Sequence, residues 1–221
     1  MAVEILTSRQ IAFLDAAGKD DFITHSFYLT GGTALAAFHL RHRYSEDLDF
    51  FSEREVDTLA LDVFFKKIKT QLGVSKLDFQ QSYNRNLVFL EYGDGEILKT
   101  EFTFFPFPRI EKGRREYGIE TDSLLDIAVN KLFTIYQRTK ARDYIDLYCI
   151  CRSGKFAIHD LVQKARTKFD WHIDPLQLGA QFLKARDVHD LPRMIIPLMD
   201  EKWRDFFTEE AKKLKPEVLG G

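Results

Sequence analysis

The chain has 221 residues, a formal net charge of −2, 45% hydrophobic residues and 30% charged residues. That balance can bury a substantial core and excludes a disordered or fibrous chain, and no run approaches the length of a membrane helix. The near-zero total charge gives no help in choosing partners, because nucleic-acid binding depends on a local basic patch.

Met1-Ala2-Val3-Glu4-Ile5-Leu6 lacks a basic stretch followed by a long apolar one, so the cytoplasm is the expected location. Thr7-Ser8-Arg9-Gln10 caps a first helix running to about Ala17. Phe27-Tyr28-Leu29-Thr30 is a short β-favouring run that stops at Gly31-Gly32, and the residues from Thr33 to Leu40 follow as a helix. Asp47-Leu48-Asp49-Phe50-Phe51 reads as the next strand. Residues 56–72 form an amphipathic helix with Leu59, Val63 and Ile68 among its expected buried positions. Strands are expected at 76–83, 87–92 and 96–105, with Tyr92-Gly93-Asp94-Gly95 as a hairpin turn and Pro106 and Pro108 as terminators.

The charged segment 111–117 is the expected boundary, dividing the chain into domains 1–115 and 116–221. Beyond it the pattern is helical: Leu124–Gln137, Ala141–Arg152, then 159–169, 175–185 and 203–214. The fold class that follows is α+β, a mixed sheet flanked by helices and followed by a helical domain.

Two stretches carry chemistry. Glycine tolerates positive φ and has no Cβ, so backbone amides at Gly31-Gly32 can approach a phosphate, and the helix beginning at Thr33 adds unpaired donors. On the following strand Asp47 and Asp49 point to one face while Leu48 and Phe50 point to the core. Two neighbouring carboxylates repel unless a cation lies between them, and Mg2+ or Mn2+ joining them to substrate phosphates is one solution. An Asp-x-Asp pair alone also suits a solvated strand end.

Gly31-Gly32-Thr33-Ala34-Leu35-Ala36, the run Arg43-Tyr44-Ser45-Glu46-Asp47-Leu48-Asp49-Phe50, and a downstream Lys131 followed by Arg142-Asp143 and Asp146 together resemble the AbiEii/AbiGii family. This is a nucleotidyltransferase-like group within the DNA polymerase beta-like superfamily. The resemblance spans roughly residues 20–150.

It implies a nucleotidyltransferase-type sheet and a third acidic residue completing a metal trio. Glu101 is the candidate, sharing a strand face with Lys99 and Thr103, and Glu91 is the reserve. Glu101 could equally be an edge charge paired with Lys99 or another base. The resemblance also implies catalytic roles for Lys131 and Asp143, contributed by the helical domain to the active-site cleft, and substrate contacts from Gly31, Gly32, Thr33, Arg43, Ser45 and Arg142. Lys131 shares a helical stripe with Leu124, Ile127, Ala128 and Leu132, where an ordinary boundary lysine also fits. Arg142 and Asp146 stand four apart and could form a surface ion pair.

The implied reaction is metal-dependent transfer of a nucleoside monophosphate from an NTP to an acceptor hydroxyl on RNA, such as a tRNA end, or on protein. The implied setting is a type IV toxin–antitoxin pair with a cognate antitoxin and no membrane partner. Two alternatives remain: a catalytically silent nucleotide-binding or interaction protein, and a kinase-like enzyme moving the γ-phosphate.

Lys164, Arg166, Lys168, Lys184, Arg186, Lys212, Lys213 and Lys215 could line a basic track for RNA or simply be helix-surface charge. Cys149 and Cys151 face different sides of one helix and have no further Cys to build a zinc site, so they read as buried thiols. His25, His39 and His42 likewise lack a recognisable third ligand and read as boundary or surface residues.

Overall fold

In a computed structural model, residues 4–214 are described; Met1 to Val3 and Lys215 of the expected basic track lie outside them. The chain divides into two compact units, Met1–His39 with Tyr44–Ser123, and Leu40–Arg43 with Leu124–Gly221.

The first unit begins with α1 (Ser8–Ala17), whose start carries the expected reciprocal cap: Gln10 N donates to Thr7 Oγ1 at 3.1 Å and Thr7 N donates to Gln10 Oε1 at 2.9 Å. After α2 (Asp21–Ser26) come β1 (Tyr28–Thr30), α3 (Gly31–Leu35) continuing into a π-helical turn at Ala36–Leu40, and β2 (Leu48–Ser52). Then follow α4 (Thr58–Gln71), β3 (Val74–Ser82), β4 (Arg85–Tyr92), β5 (Ile97–Phe104), β6 (Arg115–Glu116) and β7 (Ile119–Thr121).

The seven strands form one mixed sheet in the order β3-β4-β5-β2-β1-β7-β6. Strand β2 is interior, antiparallel to β1 and parallel to β5. The β3-β4-β5 meander matches the three strands expected from alternation and the hairpin glycines. The short β6-β7 hairpin extends the sheet past β1, so the division between units falls after Ser123 rather than at 115 and 116.

The core of this unit is aromatic. Phe50 and Phe102 stack at 4.7 Å, with Phe13 and Phe65 against them. On α4 the buried side chains are Leu61, Phe64, Phe65 and Ile68, a three-and-four pattern. The expected burial of Leu59 and Val63 is corrected: Leu59 is 72% exposed and Val63 57%. The two phenylalanines carry the larger apolar area, so they set the inward face, and Leu59 and Val63 fall on its opposite side.

The second unit is helical, with α5 (Leu124–Gln137), α6 (Ala141–Arg152), α7 (Ile158–Phe169), α8 (Pro175–Leu183), a 3₁₀ turn at Lys184–Arg186 and α9 (Asp200–Lys213). Tyr144, Phe182, Trp203 and Phe207 pack at its centre. The short Leu40–Arg43 piece is tied in by backbone bonds, with His42 O accepting from Ile195 N at 2.9 Å and Arg43 bridging Met194. Among the described residues no helix is long and apolar enough to cross a membrane.

Candidate active site

Strand alternation and register assemble the acidic face of the sheet. Side chains of Asp49 and Phe51 leave β2 on one side while Leu48 and Phe50 enter the core. Across the parallel ladder Asp49 is registered with Glu101, and across the antiparallel one with Thr30. Asp47, two residues before Asp49, receives Lys99 Nζ at 2.8 Å. Asp49 and Glu101 are thus neighbours across the β2–β5 ladder, and Asp47 is tied to Lys99 of β5.

The glycine turn lies against this face. Gly31 has φ +73, and a Cβ added to it would meet Asp49 Oδ2 at 2.3 Å. Both the backbone conformation and the close approach therefore require glycine. Thr33 is buried, and its hydroxyl donates to Asp47 O, so its side chain fixes the entry to β2. Ser45 and Glu46 are held through their carbonyls, which accept from Gln10 Nε2 at 3.0 Å each.

Glu101 differs from the expectation of an open third ligand. It is only 7% exposed, and Arg85 clamps it with Nε at 2.7 Å and Nη2 at 2.6 Å, while Thr103 Oγ1 donates at 2.8 Å. Burial acts to raise its pKa, but the hydrogen bonds from Arg85 and Thr103 and the charges of Arg85 and Lys99 win, leaving the carboxyl below its ordinary value. The charge-paired reading of Glu101 holds, with Arg85 as the base. Glu91, the reserve, is paired with Lys76 at 2.9 Å.

A divalent ion needs hard oxygen donors with lone pairs to give. Asp47 and Asp49 suit such an ion in chemistry and place: both are part-exposed, and Lys99 pairs with Asp47. Glu101 in its clamped state does not. Among the described residues no group of three His, Cys, Asp or Glu side chains forms a ready metal cage.

The downstream motif residues build a second cluster, inside the helical unit. Lys131, 8% exposed, donates to Asp143 Oδ1 and lies within 2.7 Å of Asp146 Oδ2 as well. Arg138 reaches Asp143 Oδ2 at 3.2 Å. Arg43 grips fully buried Asp146 in a fork, Nε to Oδ1 at 2.6 Å and Nη2 to Oδ2 at 2.8 Å, and His42 Nε2 adds a contact at 2.8 Å. Burial opposes ionisation of Asp146, yet the charges of Lys131 and Arg43 with the bonds from Arg43 and His42 hold its carboxyl well below the usual range.

Several expectations are corrected by this network. Arg43, 3% exposed, is an internal clamp and not an open substrate contact. Asp146 pairs with Arg43, Lys131 and His42 in place of Arg142, which lies exposed on α6. His42 is buried in the cluster and so is no boundary residue, whereas His39 is half-buried, as a boundary residue is, with Nε2 3.2 Å from Asp122 O. Lys131 is no boundary lysine. Cys149 and Cys151 are free and half-buried, and burial pushes both thiols up to about 12.

Four of the eight residues of the expected basic track are taken up in local pairs. Lys168 is buried against Asp126 at 2.8 Å, Arg186 meets Asp205, and Lys212 and Lys213 meet Glu209 and Glu210. Sequence reasoning missed Arg85 and His42. Arg85 lies outside the strand expected at 87–92, and its register with Thr103 is set by strand pairing, so residue order carried no signal for it.

A Helicobacter pylori protein, JHP933, has the same fold with a TM-score of 0.59 at 19% identity, covering 96% of this chain and 91% of that one. The nucleotidyltransferase toxin MenT4 of Mycobacterium tuberculosis H37Rv gives 0.55 at 16% identity, covering 95% and 86%. An uncharacterised protein of Aquifex aeolicus (strain VF5) is 28% identical over 195 residues, 86% of this chain and 89% of its own length. The family described as nucleotidyl transferase AbiEii toxin, type IV TA system, matches residues 12–218, and with the glycine turn and acidic face in place the chain belongs to that family.

Proposed function

We propose that this chain transfers a nucleoside monophosphate from an NTP to an acceptor hydroxyl, using the acidic sheet face as its reaction centre and a divalent ion as cofactor. The observation that carries this reading is the packing of Gly31 on the Asp49 carboxylate of β2, with Asp47 immediately before that strand. It brings backbone amides that suit a phosphate and carboxylates that suit a cation to the same place.

In this reading Asp47 and Asp49 would hold Mg2+ or Mn2+. A bound ion of this kind supplies charge neutralisation at the triphosphate and polarisation of the reacting phosphorus. The acceptor oxygen bonds to the α-phosphorus, the α–β phosphoanhydride bond breaks, pyrophosphate leaves, and the hydroxyl proton passes to a carboxylate of the face or to water. The amides at Gly31 and Gly32 orient the phosphates. A cognate antitoxin then works by opposing the product of this reaction or its formation.

Incubating the purified chain with each α-labelled NTP, Mg2+ and total cellular RNA or protein tests the reading. Label transferred to a macromolecule with release of pyrophosphate supports it. Nucleoside diphosphate as the leaving product would establish γ-phosphoryl transfer instead, and binding of NTP without turnover would reduce the chain to a nucleotide-binding module.

A further inference from the structure

Two cations, Arg85 and Lys99, are paired with the carboxylates of the acidic face, and they are held in different ways. Arg85 grips the buried Glu101 carboxylate through two nitrogens, and Thr103 Oγ1 supports the same group. A planar fork on a carboxylate shut away from water is a fixed pair. Lys99 meets Asp47 at one point, Nζ to Oδ2 at 2.8 Å, and the two side chains are 30% and 29% exposed. A single-point pair reached by solvent is worth little, and the ammonium rides on a flexible stem.

Asp47 and Lys99 immediately precede the Leu48–Thr100 pair of the parallel β2–β5 ladder, so strand pairing keeps the Lys99 backbone beside Asp47 wherever its side chain turns. The charge of Lys99 also acts on Glu101. A divalent ion taken up by Asp47 and Asp49 would meet this ammonium at Asp47 Oδ2. Two cations on one carboxylate oxygen repel. The monovalent one, singly bonded and open to solvent, is the one that yields. With the Arg85 fork fixed, Lys99 is the cation whose partner can change.

We propose that Lys99 is an exchangeable counter-ion: its ammonium pairs with Asp47 until a divalent ion takes that carboxylate, and then turns to the phosphates of the nucleotide. The exchange couples the two ligands, because an ion arriving alone displaces a cation that the triphosphate then takes up. The proposal rests on the transferase reading, which supplies both the ion and the triphosphate.

The test measures binding to the full chain and needs no turnover. Mn2+ alone is followed by electron paramagnetic resonance, and inorganic tripolyphosphate, a probe free of any base preference, is titrated calorimetrically at saturating Mn2+. Lys99→Met keeps the length of the side chain and removes its charge. It is expected to bind Mn2+ alone about fivefold more tightly than wild type, and tripolyphosphate about fivefold more weakly. Lys99→Arg keeps the charge and is expected to behave as wild type in both measurements. Adding Asp47→Asn to Lys99→Met is expected to abolish the gain in Mn2+ affinity. Thermal melts identify any variant that fails to fold, and Lys99→Gln then replaces Lys99→Met.

Changes of opposite sign separate this role from a structural one, which would weaken both ligands together. Mn2+ affinity that is unchanged or lower in folded Lys99→Met would overturn the proposal, as would unchanged tripolyphosphate binding or a gain that survives Asp47→Asn. In each of these results, Mn2+ bound by the wild type keeps the ion of the transferase reading. No Mn2+ bound by any variant, even with tripolyphosphate present, would remove that ion and the proposal together.

Discussion

Asp49 occupies the most constrained position on the acidic face, between the Gly31 turn and Glu101. Asp49→Asn removes the charge with almost no change in volume, so it is expected to leave the melting temperature near wild type. Nucleotide transfer is expected to fall about a hundredfold or more, equivalent to roughly 2.7 kcal/mol in the barrier. Turnover retained in that variant would sink the carboxylate model. Gly31→Ala should do the opposite kind of damage. At φ +73 the backbone alone disfavours an L side chain, by about 1–3 kcal/mol, and the added Cβ collides with Asp49, so denaturant melts should show loss of stability together with activity.

Arg85 makes a further residue-scale prediction. Burial on its own raises the Glu101 carboxyl, and the bonds and charge that reverse this come chiefly from Arg85. Arg85→Ala should therefore raise the Glu101 carboxyl from its depressed value, measured by carboxyl-carbon NMR titration. Because the Arg85 side chain is 50% exposed, its stability contribution is screened and small. An unmoved Glu101 titration would show that the clamp is not what holds that charge.

At the scale of elements, α5 and α6 are joined by the buried network of Lys131, Asp143 and Asp146 with Arg43. Asp146→Asn leaves two buried cations under-compensated, and a loss of about 3–5 kcal/mol is expected from equilibrium denaturation. The pH dependence has a definite sign. The Asp146 carboxyl is depressed in the folded state, so its stabilisation is complete above the unfolded value, roughly 3.9, and is lost as pH falls from there toward the lower folded value. Stability measured from about pH 6 to about pH 3 should fall more steeply in the wild type than in Asp146→Asn. Parallel curves would mean that other groups govern the acid limb.

For the whole molecule, membership of a toxin family makes the activity visible in cells. Induced expression of the chain in a bacterial host should slow growth, and Asp49→Asn should restore it at equal protein level. Growth arrest by both would detach toxicity from the acidic face.

Much of this protein was legible from residue order alone. The glycines at 31 and 32, the alternation of Asp47 to Phe51, the meander and the helices of the second unit all follow from local rules of backbone freedom and periodicity, which depend on neighbours in the chain. What residue order could not say was who neutralises whom. Arg85 lies 16 residues from Glu101, and Arg43 lies 103 from Asp146. Such pairings depend on register between strands and on helix packing, so only the tertiary structure turned Glu101 from an open ligand into a clamped charge and Arg43 from a substrate contact into a buried clamp. Likewise it moved Leu59 and Val63 outward, because the packing area of Phe64 and Phe65 decides which side of α4 is buried. Local chemistry located the acidic face, and long-range electrostatics and packing decided which of its charges are available.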